Sequence, residues 1–250
     1  MMASVFVEGK TTLKNCAKEP EVEDLANFLN SCGAKIEGAG SSVITIEGVE
    51  TLKKTHWEVL FDRIEAGTYL VAGAITKGKV RINKIIPEKL KCLIISLEKM
   101  GFKIFCSKNS IEIDARQSTI KCQDFSTDPY PGFPTDMQAQ LMALNCIGEG
   151  SALITEQVFE NRFQHVKELR KMGANITLEK NHAVVKGVPN LVGSEVTASD
   201  LRASASLVLA GLIGKNRTKI NEIHHIDRGY ECIEEKLNKL GAEIIREPLA

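Results

Sequence analysis

Ala26-Asn-Phe-Leu-Asn-Ser-Cys-Gly-Ala-Lys-Ile36 has three relatives further along the chain, ending Lys99-Met-Gly-Phe-Lys-Ile104, Lys171-Met-Gly-Ala-Asn-Ile176 and Lys239-Leu-Gly-Ala-Glu-Ile244. The glycines stand at 33, 101, 173 and 241, at intervals of 68, 72 and 68 residues. In each copy an amphipathic run with apolar residues at helical spacing meets a glycine and then an Ile-containing segment. That pattern predicts a helix, a C-terminal cap and a strand, because a chain leaving a helix through the left-handed region favours glycine. Self-similarity at this period marks a repeated supersecondary unit that buries its apolar face against its neighbours.

A second series lies out of phase with the first. Residues 64–77, 137–149 and 201–213 are helical runs rich in Ala, Gly and Leu, a composition suited to burial on several sides. Each ends at a glycine, at 78, 150 and 214, followed by a strand such as Lys79-Val-Arg-Ile-Asn83 or Ser151-Ala-Leu-Ile-Thr155; Gly9 precedes Lys10-Thr-Thr-Leu-Lys14 in the same way. The module therefore reads small-residue helix, Gly, strand, amphipathic helix, Gly, then two strands with turn signals such as Gly38-Ala-Gly40 or Lys108-Asn109. The first copy keeps only a helix tail in residues 1–8, and the last stops before its closing strand. About half a module or more is therefore expected to be missing at the front, leaving an apolar helix face and a sheet edge uncovered.

The composition excludes several classes of protein. Of 250 residues 43% are hydrophobic and 26% charged, which fits a folded globular chain and not a disordered one. Thirty-two basic residues balance 32 acidic ones, so no overall field draws the chain to nucleic acid or an anionic membrane, and neither is expected as a partner. Any anionic ligand must be held by a local cluster of cations. The longest uncharged apolar stretch, residues 203–214, falls short of the ~20 residues of a membrane span. Residues 1–7 have no signal-peptide character, and the seven cysteines are scattered without a C-x-x-C pair. Both features predict a cytoplasmic protein without a disulfide framework or zinc site.

Charges recur where the helices start. Asp62-Arg63, Pro134-Thr-Asp136 and Ser199-Asp-Leu-Arg202 precede or open the small-residue helices. Glu19-Pro-Glu21, Pro87-Glu88, Glu160-Asn-Arg162 and Asp227-Arg228 do the same for the amphipathic ones. Acids there are ordinary capping and dipole partners. A guanidinium in the first turn opposes the helix dipole, at a cost of roughly a few tenths of a kcal/mol. Arg63, Arg162, Arg202 and Arg228 thus either converge on one anionic ligand, as suits phosphates, or pair with neighbouring acids in surface bridges worth little. Asp136, which follows the stiff Tyr130-Pro-Gly-Phe-Pro134 loop, is either a helix cap or a general base presented to a substrate hydroxyl. The histidines add little: His224-His225 reads as a strand end, and His56, His165 and His182 have no acid or cysteine at a useful spacing.

Six segments carry a resemblance: Lys18-Glu-Pro-Glu21, Phe61-Asp-Arg-Ile-Glu-Ala-Gly-Thr68, Phe133-Pro-Thr-Asp-Met-Gln-Ala-Gln140, Phe159-Glu-Asn-Arg-Phe163, Ser199-Asp-Leu-Arg-Ala-Ser204 and His225-Ile-Asp-Arg-Gly-Tyr-Glu231. Together they resemble the UDP-N-acetylglucosamine 1-carboxyvinyltransferases, a branch of the enolpyruvyl transferases, from about Met1 to the C-terminus. The segments at 133–140 and 159–163 separate this branch from the 5-enolpyruvylshikimate-3-phosphate synthases. The resemblance implies an inside-out α/β barrel built from repeated βαβαββ units, incomplete at the N-terminus. Residues 1–60 would be the last unit of one domain. Residues 61–250 would be a second domain of three units, about 61–128, 129–195 and 196–250.

The implied reaction joins the 3-hydroxyl of UDP-N-acetylglucosamine to C2 of phosphoenolpyruvate and expels phosphate, the first committed step of peptidoglycan synthesis. By resemblance Asp136 is the base and a sugar-hydroxyl ligand. Val158 meets the UDP-sugar through its backbone, and Arg162 supports that site. Arg228 and Arg202 belong to the phosphoenolpyruvate end, with Asp200 and Glu19 as nearby carboxylates and Arg63 in support. No cofactor and no metal is implied. The family's cysteine acid and a Lys-Asn pair that binds phosphoenolpyruvate lie in an N-terminal part without a counterpart here, and none of the seven cysteines fits the acid's role. A separately encoded N-terminal part is therefore expected as a partner. The alternatives are a non-catalytic remnant or binding module of the same fold, and an RNA 3′-phosphate cyclase-like enzyme, against which the neutral charge and the quoted motifs speak.

Overall fold

The structure, a computed structural model, describes residues 1–247. The chain forms two compact units, residues 1–62 with 128–134, and residues 63–127 with the chain from 135 onward.

The first unit opens with a 3-10 turn, Met2–Phe6, where the tail of an α-helix was expected. So short a segment sustains i→i+3 turns more readily than a full α-helical ladder. β1 (Lys10–Lys14), α1 (Pro20–Ser31), β2 (Lys35–Glu37) and β3 (Val43–Glu47) follow, with the antiparallel sheet ordered β1-β3-β2. Pro20 suits the first helical position because its missing N–H would have no partner there. α1 then buries Ala26 and Leu29 in a cluster with Val5, Ile36, Ile44 and Ile46.

The second unit runs α2 (Arg63–Ile75), β4 (Lys79–Asn83), α3 (Lys91–Lys99), β5 (Lys103–Cys106), β6 (Ser110–Asp114), β7 (Phe125–Ser126), α4 (Gln138–Asn145), β8 (Ser151–Thr155), α5 (Val166–Lys171), β9 (Asn175–Glu179), β10 (His182–Lys186), β11 (Glu195–Thr197), α6 (Leu201–Gly211), β12 (Lys219–Asn221) and α7 (Ile233–Lys239). The small-residue helices α2, α4 and α6 pack on one another, and the sheets β4-β6-β5 and β7-β8-β10-β9 pack on α2 and α4. Every residue of α4 is buried. Small residues permit this: a Cβ on Gly73 of α2 would come within 2.8 Å of Val80 in β4. Helices inside and sheets outside is the inside-out arrangement.

The amphipathic helices end as their glycines predict. Gly33, Gly101, Gly173 and Gly241 have φ of +102, +99, +87 and +102°. The next residue donates its N–H back into the helix each time, Ala34 to Leu29, Phe102 to Leu97, Ala174 to Leu169 and Ala242 to Leu237, at 3.0–3.1 Å. These are Schellman caps. A second device repeats with them. The Asn30 amide exchanges two 2.8 Å hydrogen bonds with the backbone of Ile36, Asn238 does the same with Ile244, and Arg170 donates to Ile176 O.

Two expectations need correction. Ile244 lies in no strand: its N–H and C=O are taken by Asn238, and no strand pairs with residues 242–247 among the described residues. In the small-residue series Gly9 and Gly150 turn through positive φ, and after α2 it is Lys77, at φ 52°, that does so. His224 and His225 belong to the 3-10 turn Ile223–Arg228 and not to a strand end, since the chain turns there and brings their ring centroids to 4.1 Å, tilted by 36°.

His165 is 1% exposed, with Nε2 3.2 Å from Met142 Sδ, and burial pushes its pKa down to about 4. The unfolded chain takes up that proton near pH 6.5, so stability held above that pH is lost as pH falls toward 4, roughly 3 kcal/mol in all. Urea unfolding at pH 7 and pH 4.5 should therefore fall less steeply in His165→Gln than in the wild type, by about 2–3 kcal/mol. Equal slopes would mean that His165 is protonated when folded.

Candidate active site

The chain enters α4 through the 3-10 turn Thr135–Met137, which contains Asp136. The N-cap of α4 is Met137, and the helix has no side-chain cap bond, so Asp136 is not its cap. The carboxylate instead lies between two guanidinium groups, with Arg162 Nη2 donating to Oδ1 at 3.0 Å and Arg202 Nη2 to Oδ2 at 2.7 Å. These arginines are 26 and 66 residues away in sequence, and their side chains are only 13% and 16% exposed. For these two, bridges to sequence neighbours at the surface are set aside. Burial, the largest influence, pushes the Asp136 pKa up. The hydrogen bond from Arg202 and the charges of Arg202, Arg162 and Arg63 outweigh it and hold the carboxyl below the usual range.

Each arginine is held in place. Arg162 opens the 3-10 turn Arg162–His165 after left-handed Asn161, donates from Nε to Thr135 Oγ1 at 3.1 Å, and lies 4.5 Å over the Phe159 ring. A cation over an aromatic face is attracted by the ring quadrupole. Arg202 is the second residue of α6. That helix is capped by Asp200, whose Oδ1 accepts the N–H of Arg202 at 2.8 Å and of Ala203 at 3.0 Å, so the Asp200 carboxylate acts as an ordinary cap. The Arg202 guanidinium also interacts with Tyr230, a buried residue whose hydroxyl lies 2.8 Å from Thr68 Oγ1 of α2 and accepts from Gln140 Nε2 of α4 at 3.4 Å. One phenol thereby links Arg202 to two of the central helices.

The other expected residues stand apart from this clamp to differing degrees. Arg63 opens α2, and its charge acts on Asp136. Arg228 closes the turn Ile223–Arg228, five residues before α7, so it is not in that helix's first turn. Gly229 to Cys232 lie between them, and Arg228 is exposed in a cleft of about 620 Å³ with Glu65, Glu234, Lys236 and Arg246. Val158 is exposed and lines a groove of about 950 Å³ with Phe159, Arg162, Leu178, Lys180 and Asn181; its N–H donates to Glu156 Oε1 at 3.0 Å. Glu19 belongs to the first unit, immediately before α1. Its Oε2 is buried without a hydrogen-bond partner among the described residues.

Sequence reading passed over Glu156, Thr127, Thr135 and Tyr230. For Glu156 a signal existed: Ala152 and Ile154 point inward from β8, so the same parity carries a carboxylate inward at 156. Among the described residues no group of three or more His, Cys, Asp or Glu could hold a metal, and no helix is long and apolar enough to cross a membrane.

Buried helices with their N-termini carrying an arginine-clamped carboxylate, surrounded by repeated sheets, define an enolpyruvyl transferase fold. Residues 1–237 match the family of EPSP synthase (3-phosphoshikimate 1-carboxyvinyltransferase), and the chain belongs to that family. The UDP-N-acetylglucosamine 1-carboxyvinyltransferases of Hydrogenovibrio crunogenus and Coxiella burnetii are each 53% identical to it over 246 residues, 98% of the chain. The chain spans 59% and 57% of the length of these two relatives. In fold it is similar to the enolpyruvyl transferase NikO from Streptomyces tendae, with a TM-score of 0.86 and 30% identity over 96% of this chain and 57% of that one. EPSP synthase from Acinetobacter baumannii follows at a TM-score of 0.75 and 20% identity, over 98% of this chain and 60% of that one. The expectation of a partial inside-out α/β barrel is borne out.

Proposed function

We propose that the chain supplies the base and much of the cationic surface of a UDP-N-acetylglucosamine 1-carboxyvinyltransferase in the cytoplasm, at the first committed step of peptidoglycan synthesis, together with an N-terminal part that brings the acid. Residues 1–60 are read as the last repeat of one domain and 61–250 as three repeats of the other. The observation that carries the reading is the convergence of Arg162 and Arg202, with the charge of Arg63, on Asp136. The arginines keep Asp136 ionised, and an ionised carboxylate is the form that can accept a proton.

In this reading the UDP-sugar lies along the groove at Val158 and Phe159 with its 3-hydroxyl at Asp136. Phosphoenolpyruvate draws on Arg202 and Arg228, with Asp200 as a nearby carboxylate. As its carboxylate or phosphate engages Arg202, Asp136 loses a cationic partner and becomes the stronger base. It takes the proton of the 3-hydroxyl as that oxygen bonds to C2 of phosphoenolpyruvate. The methylene carbon gains a proton from the partner's acid and becomes a methyl group; the tetrahedral adduct then loses one methyl proton as its C2–O bond to phosphate breaks, which restores the CH2=C bond and releases phosphate. Positioned cations stabilise the charge that develops.

The test is reconstitution. Phosphate release from UDP-N-acetylglucosamine and phosphoenolpyruvate should be at background for this chain alone and rise on adding the N-terminal part. If the combined parts release no phosphate, the reading fails and a binding module of the same fold takes its place. If the chain alone turns over, the shared site is wrong.

A further inference from the structure

We propose that Glu156 is a positioning residue of this site, one carboxylate that sets both Arg162 and the Val158–Phe159 backbone. The inference deepens the enolpyruvyl-transfer reading and rests on it for its kinetic readout alone. Glu156 is 4% exposed, and no cation pairs with it among the described residues. Burying a carboxylate is expensive unless hydrogen bonds satisfy it. Here Oε1 accepts from Thr127 Oγ1 at 2.7 Å, Val158 N at 3.0 Å and Phe159 N at 2.9 Å, while Oε2 accepts from Thr135 Oγ1 at 3.0 Å. Four donors, three on Oε1 and one on Oε2, thus meet a group with about four acceptor positions.

The donors belong to the segments that make the site. Thr135 immediately precedes Asp136, and the same hydroxyl accepts the Nε–H of Arg162. Phe159 carries the ring beneath that guanidinium. Glu156 is itself fixed at both backbone groups by Asn181, with its N–H donating to Asn181 O at 2.9 Å and its C=O accepting from Asn181 Nδ2 at 3.2 Å. Thr127 is secured in turn by the N–H of Gln157 at 2.9 Å. A purely packing role at the end of β8 would be met by an apolar residue, as at Ala152 and Ile154. Only a group with several acceptors can hold two backbone N–H groups and two hydroxyls at once.

Glu156→Gln and Glu156→Ala separate positioning from general stability. Gln keeps the oxygen that receives Thr127, Val158 and Phe159, and reverses only the bond to Thr135; Ala removes all four. In the complete enzyme, this chain with the N-terminal part, Glu156→Ala should raise KM for UDP-N-acetylglucosamine about tenfold or more, as expected for lost hydrogen bonds to a charged group. KM for phosphoenolpyruvate should change by less than about twofold, and Glu156→Gln should recover much of the loss. Amide exchange at Val158 and Phe159 should accelerate about tenfold or more in the Ala variant and return toward wild type in the Gln variant. A fall in kcat that tracks lost thermal stability, with both KM values unchanged, would overturn the proposal. If the wild-type enzyme shows no turnover, the enolpyruvyl reading fails by itself and amide exchange decides: unchanged protection of Val158 and Phe159 in Glu156→Ala overturns the positioning role, and selective loss supports it.

Discussion

Asp136→Asn should lower kcat of the complete enzyme by roughly 10²–10⁴-fold, the span ordinarily lost with a general base. Asn keeps the shape but cannot take the proton. It also leaves Arg162 and Arg202 facing a neutral amide, so some loss of stability accompanies the loss of rate. Because α4 has no side-chain cap, capping cannot account for either effect. The pKa direction adds a second mark. With the folded pKa depressed, the stability contributed by Asp136 is present above the ordinary Asp value of about 3.9 and is lost as pH falls through the folded value. In the free enzyme the acid limb of kcat/KM due to Asp136 should likewise lie below the usual carboxylate range. An Asn variant with near-normal kcat and unchanged KM for both substrates would reject the base.

Gly187→Ala should destabilise the second unit by roughly 3 kcal/mol or more, at the upper end of overpacking effects. A Cβ at Gly187 would stand 1.6 Å from Gly148 O and 2.8 Å from its carbonyl carbon, and neither atom can rotate away. The segment is fixed on both sides, because Gly187 N donates to Gly150 O at 3.1 Å and Val188 N to Cys146 O at 2.7 Å. The end of β10 therefore cannot retreat without opening the junction between α4 and β8. For a chain of this size the melting temperature should fall by roughly 6–12 °C. An Ala variant that melts with the wild type would show that the two backbones separate at little cost.

Much of the fold was legible because its determinants are local. Apolar spacing marked the amphipathic helices, and a positive φ at Gly33, Gly101, Gly173 and Gly241 made their endings readable one residue at a time. The Ala- and Gly-rich runs signalled burial on several sides, as α2 and α4 show. Local reading failed where a segment depended on a neighbour. Ile244 has strand-like residues around it, but a strand exists only through its pairing. Arg228 lies beside a helix start in the sequence, yet the chain spends four residues, Gly229 to Cys232, before α7 begins.

The site divides along the same physical line. The residue types at 63, 136, 162 and 202 follow from the repeat, which sets an acid or arginine at each helix start, and Asp200 as the cap of α6 follows from its position alone. Whether Asp136 was a cap or a base, and whether the arginines met neighbours or a common centre, could not follow from spacing. Those choices depend on packing α2, α4 and α6 so closely that guanidinium groups 26 and 66 residues away reach one carboxylate. The same holds for Glu156, whose partners come from Thr127, Thr135 and its own following turn, and for Tyr230, which reaches Thr68 across 162 residues. Periodicity and caps are governed by interactions within a few residues, so the sequence by itself determined the repeat and its helix ends. The identity of a buried polar group's partner is governed by which elements come within about 3 Å of one another, and only the tertiary structure decided that.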